Sequence, residues 1–213
     1  MKYFLFDASS AVPFYLPRPT DYNFNARGIT ASLTARRLSK KAFFYIPCLC
    51  ITEVLNTLAR YHFRLKATTP EEYKRATEAF IKHVRDRQFF YCYYSNRYHN
   101  YHANEVFPIE HTKNTEYTVT GLDPQKTKPL EVDQALKTKN PNDRASNYHL
   151  SGADIFIIGM ARELQKIHGL DFALITQDNR LAEIASSLSD PYKVFNFSAK
   201  AQKPNSIKEL KAF

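Results

Sequence analysis

Lys2-Tyr3-Phe4-Leu5-Phe6-Asp7-Ala8-Ser9 opens the chain with an apolar, aromatic run that stops on a carboxylate. A run that is apolar at successive positions, rather than alternating, reads as a strand buried on both faces, as strands of parallel sheets are. Residues 172–176 (FALIT) repeat the pattern and lead to another acid, Asp178. Further strands are expected at 42–46, 88–94 and 192–195.

Parallel strands need crossovers, which are usually helices. Residues 8–16 predict a short helix disturbed by Pro13, and residues 30–41 a second one. In the latter, Leu33 and Leu38 share one face, with Arg36, Arg37, Lys40 and Lys41 largely on the other. A helix over 51–64 would align Val54, Leu55, Leu58, Tyr61 and His62 at three-four spacing. Thr69-Pro70-Glu71-Glu72 is a helix start: a capping hydroxyl, proline in the first turn, then acids at the positive dipole end. That helix reaches about residue 86, with Tyr73, Ala76, Phe80, Ile81 and Val84 inward. Residues 152–165 are apolar nearly all round in their first half, which predicts a buried helix. Residues 178–188 place Leu181, Ile184, Ala185 and Leu188 on one face. Strands alternating with helices imply an α/β fold: a parallel sheet flanked by helices in three layers.

Residues 95–150 break this alternation. They are polar, carry Pro108, Pro124, Pro129 and Pro141, and contain EYTVT (116–120), which alternates like a hairpin strand. They are expected to form a partly structured insertion, with a few helical turns over 130–137. The organisation is then one domain over 1–198 with this insertion, followed by a basic tail over 199–213. Lys200, Lys203, Lys208 and Lys211 mark the tail as a solvated end.

At 213 residues, 44% hydrophobic and 24% charged, the chain is expected to be soluble, cytoplasmic and globular. No stretch is long and apolar enough to span a membrane. Cys48, Cys50 and Cys92 are an odd number without metal-ligand spacing and read as small apolar residues in a reduced compartment. The net charge of +9 favours polyanionic partners.

Four acids stand at the ends of these elements. Asp7 and Asp178 follow strands, where ligands of open α/β sheets gather. Glu53 opens the helix expected over 51–64. Asp154 lies in the first turn of a helix otherwise built for burial, and an isolated buried carboxylate must neutralise, pair or bind a cation. Each has a plain alternative: helix capping for Asp178 and Glu53, a salt bridge for Asp154. Metal binding explains all four at once, and oxygen donors suit Mg²⁺ or Mn²⁺. Such a site activates water and neutralises charge on a phosphodiester.

The residues resemble the PIN-domain pattern: Phe4-Leu5-Phe6-Asp7-Ala8-Ser9, then Ile51-Thr52-Glu53-Val54, then Ser151-Gly152-Ala153-Asp154-Ile155, then Leu174-Ile175-Thr176-Gln177-Asp178. Each motif is short; the four stand in the family's order, covering about residues 1–94 and 151–195. The resemblance implies a PIN-like fold and a metal-dependent endoribonuclease, with Asp7, Glu53, Asp154 and Asp178 as catalytic metal ligands. It also implies Ser9 and Thr176 as supporting hydroxyls and hydrolysis that leaves a 5′-phosphate. Toxin-type members of the family further imply RNA as substrate, a small antitoxin as partner, and a homodimer. Compact members of that type lack an insertion of this size.

Arginines and tyrosines interleave around residues 85–102, so Arg85, Arg87, Arg97 and Tyr98 are candidate RNA contacts, and Arg60 is a further one. The same aromatics equally suit a core strand. His99 and His102 have the spacing of a metal pair but lack a third ligand nearby in sequence. Two other functions fit the residues: a catalytically silent PIN-like module that binds RNA or protein, and a structure-specific DNA nuclease.

Overall fold

The computed structural model describes residues 1–16, 24–87, 89–116, 150–198 and 207–213. Five strands form one wholly parallel sheet: β1 (Lys2–Phe6), β2 (Ala42–Pro47), β3 (Tyr91–Tyr93), β4 (Phe172–Thr176) and β5 (Lys193–Asn196). Their order across the sheet is β3-β2-β1-β4-β5. The chain builds outward from β1 to one side, then returns to add β4 and β5 on the other. A topological switch point therefore lies between β1 and β4.

Side chains alternate across the sheet. Phe4, Phe6 and Phe44 pack ring to ring on one face, at centroid separations of 5.9 and 4.8 Å. They meet Phe14 from the short helices α1 (Ala8–Ala11) and its 3-10 extension Val12–Phe14. The Arg36 guanidinium of α2 (Phe24–Leu38) lies over Phe4 on this face. Tyr3 and Tyr45 project from the opposite face, where His168 stacks on Tyr3 at 3.6 Å and its Nε2 is 3.0 Å from the Tyr45 hydroxyl. His168 ends the long helix α6 (Gly152–His168), so helices flank both faces, as an α/β sheet requires.

α3 (Cys48–Ala59) starts three residues earlier than the sequence suggested, directly on Pro47, and continues into a π-helical turn, Arg60–Arg64. α4 (Pro70–Arg85) carries the expected capping box of Thr69 and Glu72. α7 (Asn179–Ser187) follows β4, and α8 (Ile207–Ala212) closes the chain. The strand expected at 88–94 is confined to 91–93. Leu38, expected inward, is 74% exposed, because α2 ends there. The tail is not wholly solvated: Leu210 and Phe213 are buried in the core, with Phe213 against Phe4 and Phe195. All three cysteines are free thiols, and Cys48 and Cys50 lie on α3. No helix among the described residues is long and apolar enough to cross a membrane.

The first part of the expected insertion is a helix, α5 (Arg97–Glu116), packed along α6. The hairpin expected from 117 onward and the helical turns at 130–137 lie outside the described residues. Gly159 sets the α5–α6 approach: a Cβ there would come within 2.8 Å of the His99 carbonyl oxygen and 3.3 Å of the Ala103 nitrogen. Both are backbone atoms, so neither yields cheaply. In an open helix Gly→Ala stabilises by up to about 1 kcal/mol. Here Gly159→Ala is expected to destabilise by roughly 1–3 kcal/mol through overpacking. Urea unfolding of the two proteins checks this; a variant at least as stable as wild type would mean that the helices part at no cost.

Candidate functional site

Asp7 ends β1 and caps α1. Its carboxylate accepts hydrogen bonds from the Ser10 amide at 2.9 Å, the Ser9 hydroxyl at 2.9 and 2.7 Å, and the Thr176 hydroxyl at 2.7 Å. Thr176 ends β4 and in turn accepts the Asp178 amide at 2.9 Å. The Gln177 amide donates to the Ser9 hydroxyl at 2.9 Å, and the Ser10 hydroxyl donates to the Ile175 carbonyl at 2.8 Å. Both supporting hydroxyls expected from sequence therefore converge on Asp7, and the loops after β1 and β4 are laced together at the switch point. Ser10 and Gln177 were not anticipated. Nothing in their local sequence distinguishes them, because their partners come from across the sheet.

Asp178 is the N-cap of α7, its Oδ1 accepting the Arg180 and Leu181 amides at 2.7 and 2.9 Å. Asp154 stands at the third position of α6 in a capping box with Ser151, whose amide and hydroxyl both donate to Oδ2. The Ser-x-x-Asp spacing was a legible signal for that box. Asp154 is half-buried rather than buried, and it makes no salt bridge among the described residues. Glu53 departs from expectation differently. Because α3 begins at Cys48, Glu53 sits in its second turn and cannot cap it. It is exposed, and no hydrogen bond or cation among the described residues satisfies it.

Electrostatics bind the four into one group. Burial pushes the Asp7 carboxyl up to about 6, against the pull of its hydrogen bonds from Ser10, Thr176 and Ser9. Burial also raises Glu53, and the charges of Asp7, Asp154 and Asp178 raise it further. Asp154 is raised by burial and by Asp178, opposed by Ser151. The buried Cys50 thiol is pushed up by burial and then by Asp7, Glu53 and Asp154, which places it beneath the same acids. Negative charge thus accumulates at the carboxyl edge of the sheet.

The donor chemistry suits a hard divalent cation. Asp154 Oδ1, Asp178 Oδ2 and both Glu53 oxygens receive no hydrogen bond among the described residues, while both Asp7 oxygens are occupied. Among those residues, however, no three Asp, Glu, His or Cys side chains already stand together as a metal-holding group. The arrangement is a shared acidic edge and not a closed coordination cage.

The other candidates belong to several elements. Arg60, Arg85, Arg87, Arg97 and Tyr98 are all exposed, but Arg85 pairs with Asp86 at 2.8 Å and Arg87 lies over Tyr91 at 5.2 Å. Phe89 and Phe90 are core residues. His99 and His102 are buried and face different acids, Glu163 and Glu105, so they are not a metal pair. No family model matches the chain, and no curated protein matches it either.

Folding raises the Asp7 pKa from the ordinary 3.8 to about 6, so between those values the folded chain binds more protons than the unfolded one. Stability tied to this group is present below about pH 4 and lost as pH climbs to about 6, by roughly 3 kcal/mol at most. Asp7→Asn removes that penalty. In EDTA, the stability difference between Asp7→Asn and wild type should shift in favour of the variant from pH 4 to pH 7 and stay level above. Urea unfolding across this range measures it, and parallel pH profiles would contradict a desolvated Asp7.

Proposed function

We propose that the chain is a Mg²⁺- or Mn²⁺-dependent nuclease of the PIN type that hydrolyses RNA, with Asp7, Glu53, Asp154 and Asp178 as its acidic site. The observation that carries this reading is the placement of Asp7, Glu53, Asp154 and Asp178 on elements at the carboxyl edge of the sheet, where the other three acids raise Glu53 and none of the four forms a salt bridge among the described residues. Structural acids are normally paired, and unbalanced charge at such an edge is what a cation-dependent site requires. When bound, Mg²⁺ or Mn²⁺ supplies activation of the attacking water and neutralisation of charge on the phosphodiester.

The protein's own part is orientation. Ser9, Ser10 and Thr176 hold Asp7 in one rotamer, so a ligand meeting it pays little side-chain ordering entropy. The caps at Asp154 and Asp178 each engage one oxygen and leave the other outward. Glu53, on the second turn of α3, is exposed.

One observation favours a second reading. Asp7 and Asp178 are helix N-caps and Asp154 closes a capping box, roles that a catalytically silent binding module needs just as much. Cleavage assays separate the two. Wild type with Mn²⁺ should cut single-stranded RNA to 5′-phosphate products and lose activity in EDTA, with duplex DNA as the comparison substrate. Glu53→Gln and Asp154→Asn should each lower the rate at least about a hundredfold. Asn retains capping ability, so Asp154→Asn should melt close to wild type. No cleavage of RNA or DNA by metal-loaded wild type would leave the silent module; full activity in Asp154→Asn would reduce that residue to a cap.

A further inference from the structure

Past the end of β3 the chain exposes tyrosines instead of burying them. Tyr94 is 68% exposed, Tyr98 53% and Tyr101 62%. Tyr98 and Tyr101 stand three residues apart on α5, which makes them neighbours on one face of the helix. Their position is set by Asn96, whose side-chain oxygen accepts the Tyr98 and His99 amides and so starts α5 immediately beyond the strand. Arg97 lies over the Tyr98 ring at 5.0 Å and donates to its hydroxyl at 3.1 Å. No carboxylate pairs with Arg97 among the described residues. Exposed rings beside an unpaired guanidinium, on a chain of net charge +9, complement a ligand with flat faces and negative charge.

The location adds direction. In a parallel sheet all strands point the same way, so Tyr94 lies beyond the same carboxyl edge as Asp7. β3 is two strands from β1, which separates their ends by roughly 10 Å along the edge. Between them runs β2, whose following helix carries Glu53.

We propose that Tyr94, Tyr98 and Tyr101, with Arg97, form a stacking platform for the unpaired bases of a single nucleic-acid strand that passes along this edge toward the acids. Bases stack on exposed aromatic rings regardless of sequence, while the guanidinium meets phosphate. A duplex hides its base faces and gains nothing from the rings. The passage toward the acids rests on the nuclease reading; the stacking itself does not.

Binding measured in EDTA keeps the two apart, because nothing is then cleaved. The probe is a fluorescein-labelled oligouridylate followed by anisotropy, with an RNA duplex as the control. The chain has fourteen tyrosines and no tryptophan, so quenching of tyrosine emission gives a second readout of stacking. Tyr98→Ala is expected to weaken single-strand binding roughly 5- to 150-fold, the factor for one stacked base, and Tyr94→Ala/Tyr98→Ala more. Tyr98→Phe, which keeps the ring, should bind nearly as wild type. Arg97→Ala should lower the salt dependence by about one ion, whereas the tyrosine variants should leave it unchanged. Single-strand affinity unmoved by Tyr94→Ala/Tyr98→Ala overturns the platform, as does an equal loss of duplex binding. A wild type that self-associates, and is made monomeric by the same substitutions without change in RNA affinity, would assign the surface to a second copy of the chain.

Discussion

The burial of the Asp7 carboxylate is the constraint on which the rest of the site depends. One acid ends the central strand, caps the first helix and receives a hydroxyl from the strand beside it. A buried anion is tolerated only when its acceptor positions are filled. Ser9, Ser10 and Thr176 fill them, and in doing so they fix how the loops after β1 and β4 approach one another. Asp178 and Gln177 are held through the same hydroxyls. Glu53 and Asp154 stand on separate elements, linked to the other two acids by no hydrogen bond among the described residues; the charges of Asp7, Asp154 and Asp178 raise Glu53, and no closed cage forms among those residues.

Much of this was legible in residue order. β1 and β4 announce themselves as unbroken apolar runs, and α4 as a threonine, a proline and two acids. Asp7 and Asp178 follow from strand ends. Glu53 does not open its helix as expected, since α3 starts directly after Pro47 and Cys48-Leu49-Cys50 carry no start signal. Asp154 looked buried because its helix is apolar, yet a first-turn residue faces partly outward to close its capping box. The fate of the aromatic stretch was not legible: Phe89 and Phe90 enter the core while Tyr94, Tyr98 and Tyr101 stay out. Alternation decides which side a residue takes, but only the covering helices decide whether that side is wet. The PIN resemblance itself rests on four short motifs, and the fold is a wholly parallel five-stranded sheet flanked by helices.

The α5–α6 seam escaped reading for a related reason. Its buried members include His99 and His102, a residue type of intermediate burial that sequence alone does not assign to a core. His99 meets Glu163, which also receives the Tyr93 hydroxyl at 2.6 Å and the Asn96 amide group. Arg162 bridges Glu105 and Asp190 at 2.6 and 2.7 Å. Burial pushes His99 toward its neutral form while Glu163 pulls the other way. Polar pairs of this kind add little net stability over a hydrophobic contact, but each tolerates few alternative partners. Together with the close approach at Gly159 they define one register between the two helices.

The ends of the described sheet carry a consequence of another kind. Its outermost strands are its shortest, three residues in β3 and four in β5. Every strand edge is a row of open backbone groups that another chain can pair with. Here the template is brief on both sides, and Lys193 stands exposed at the first position of β5. A chain with so many buried phenylalanines would be prone to cross-strand aggregation if it offered a long flat margin. Short margins leave that aromatic interior little backbone through which a second chain could extend the described sheet.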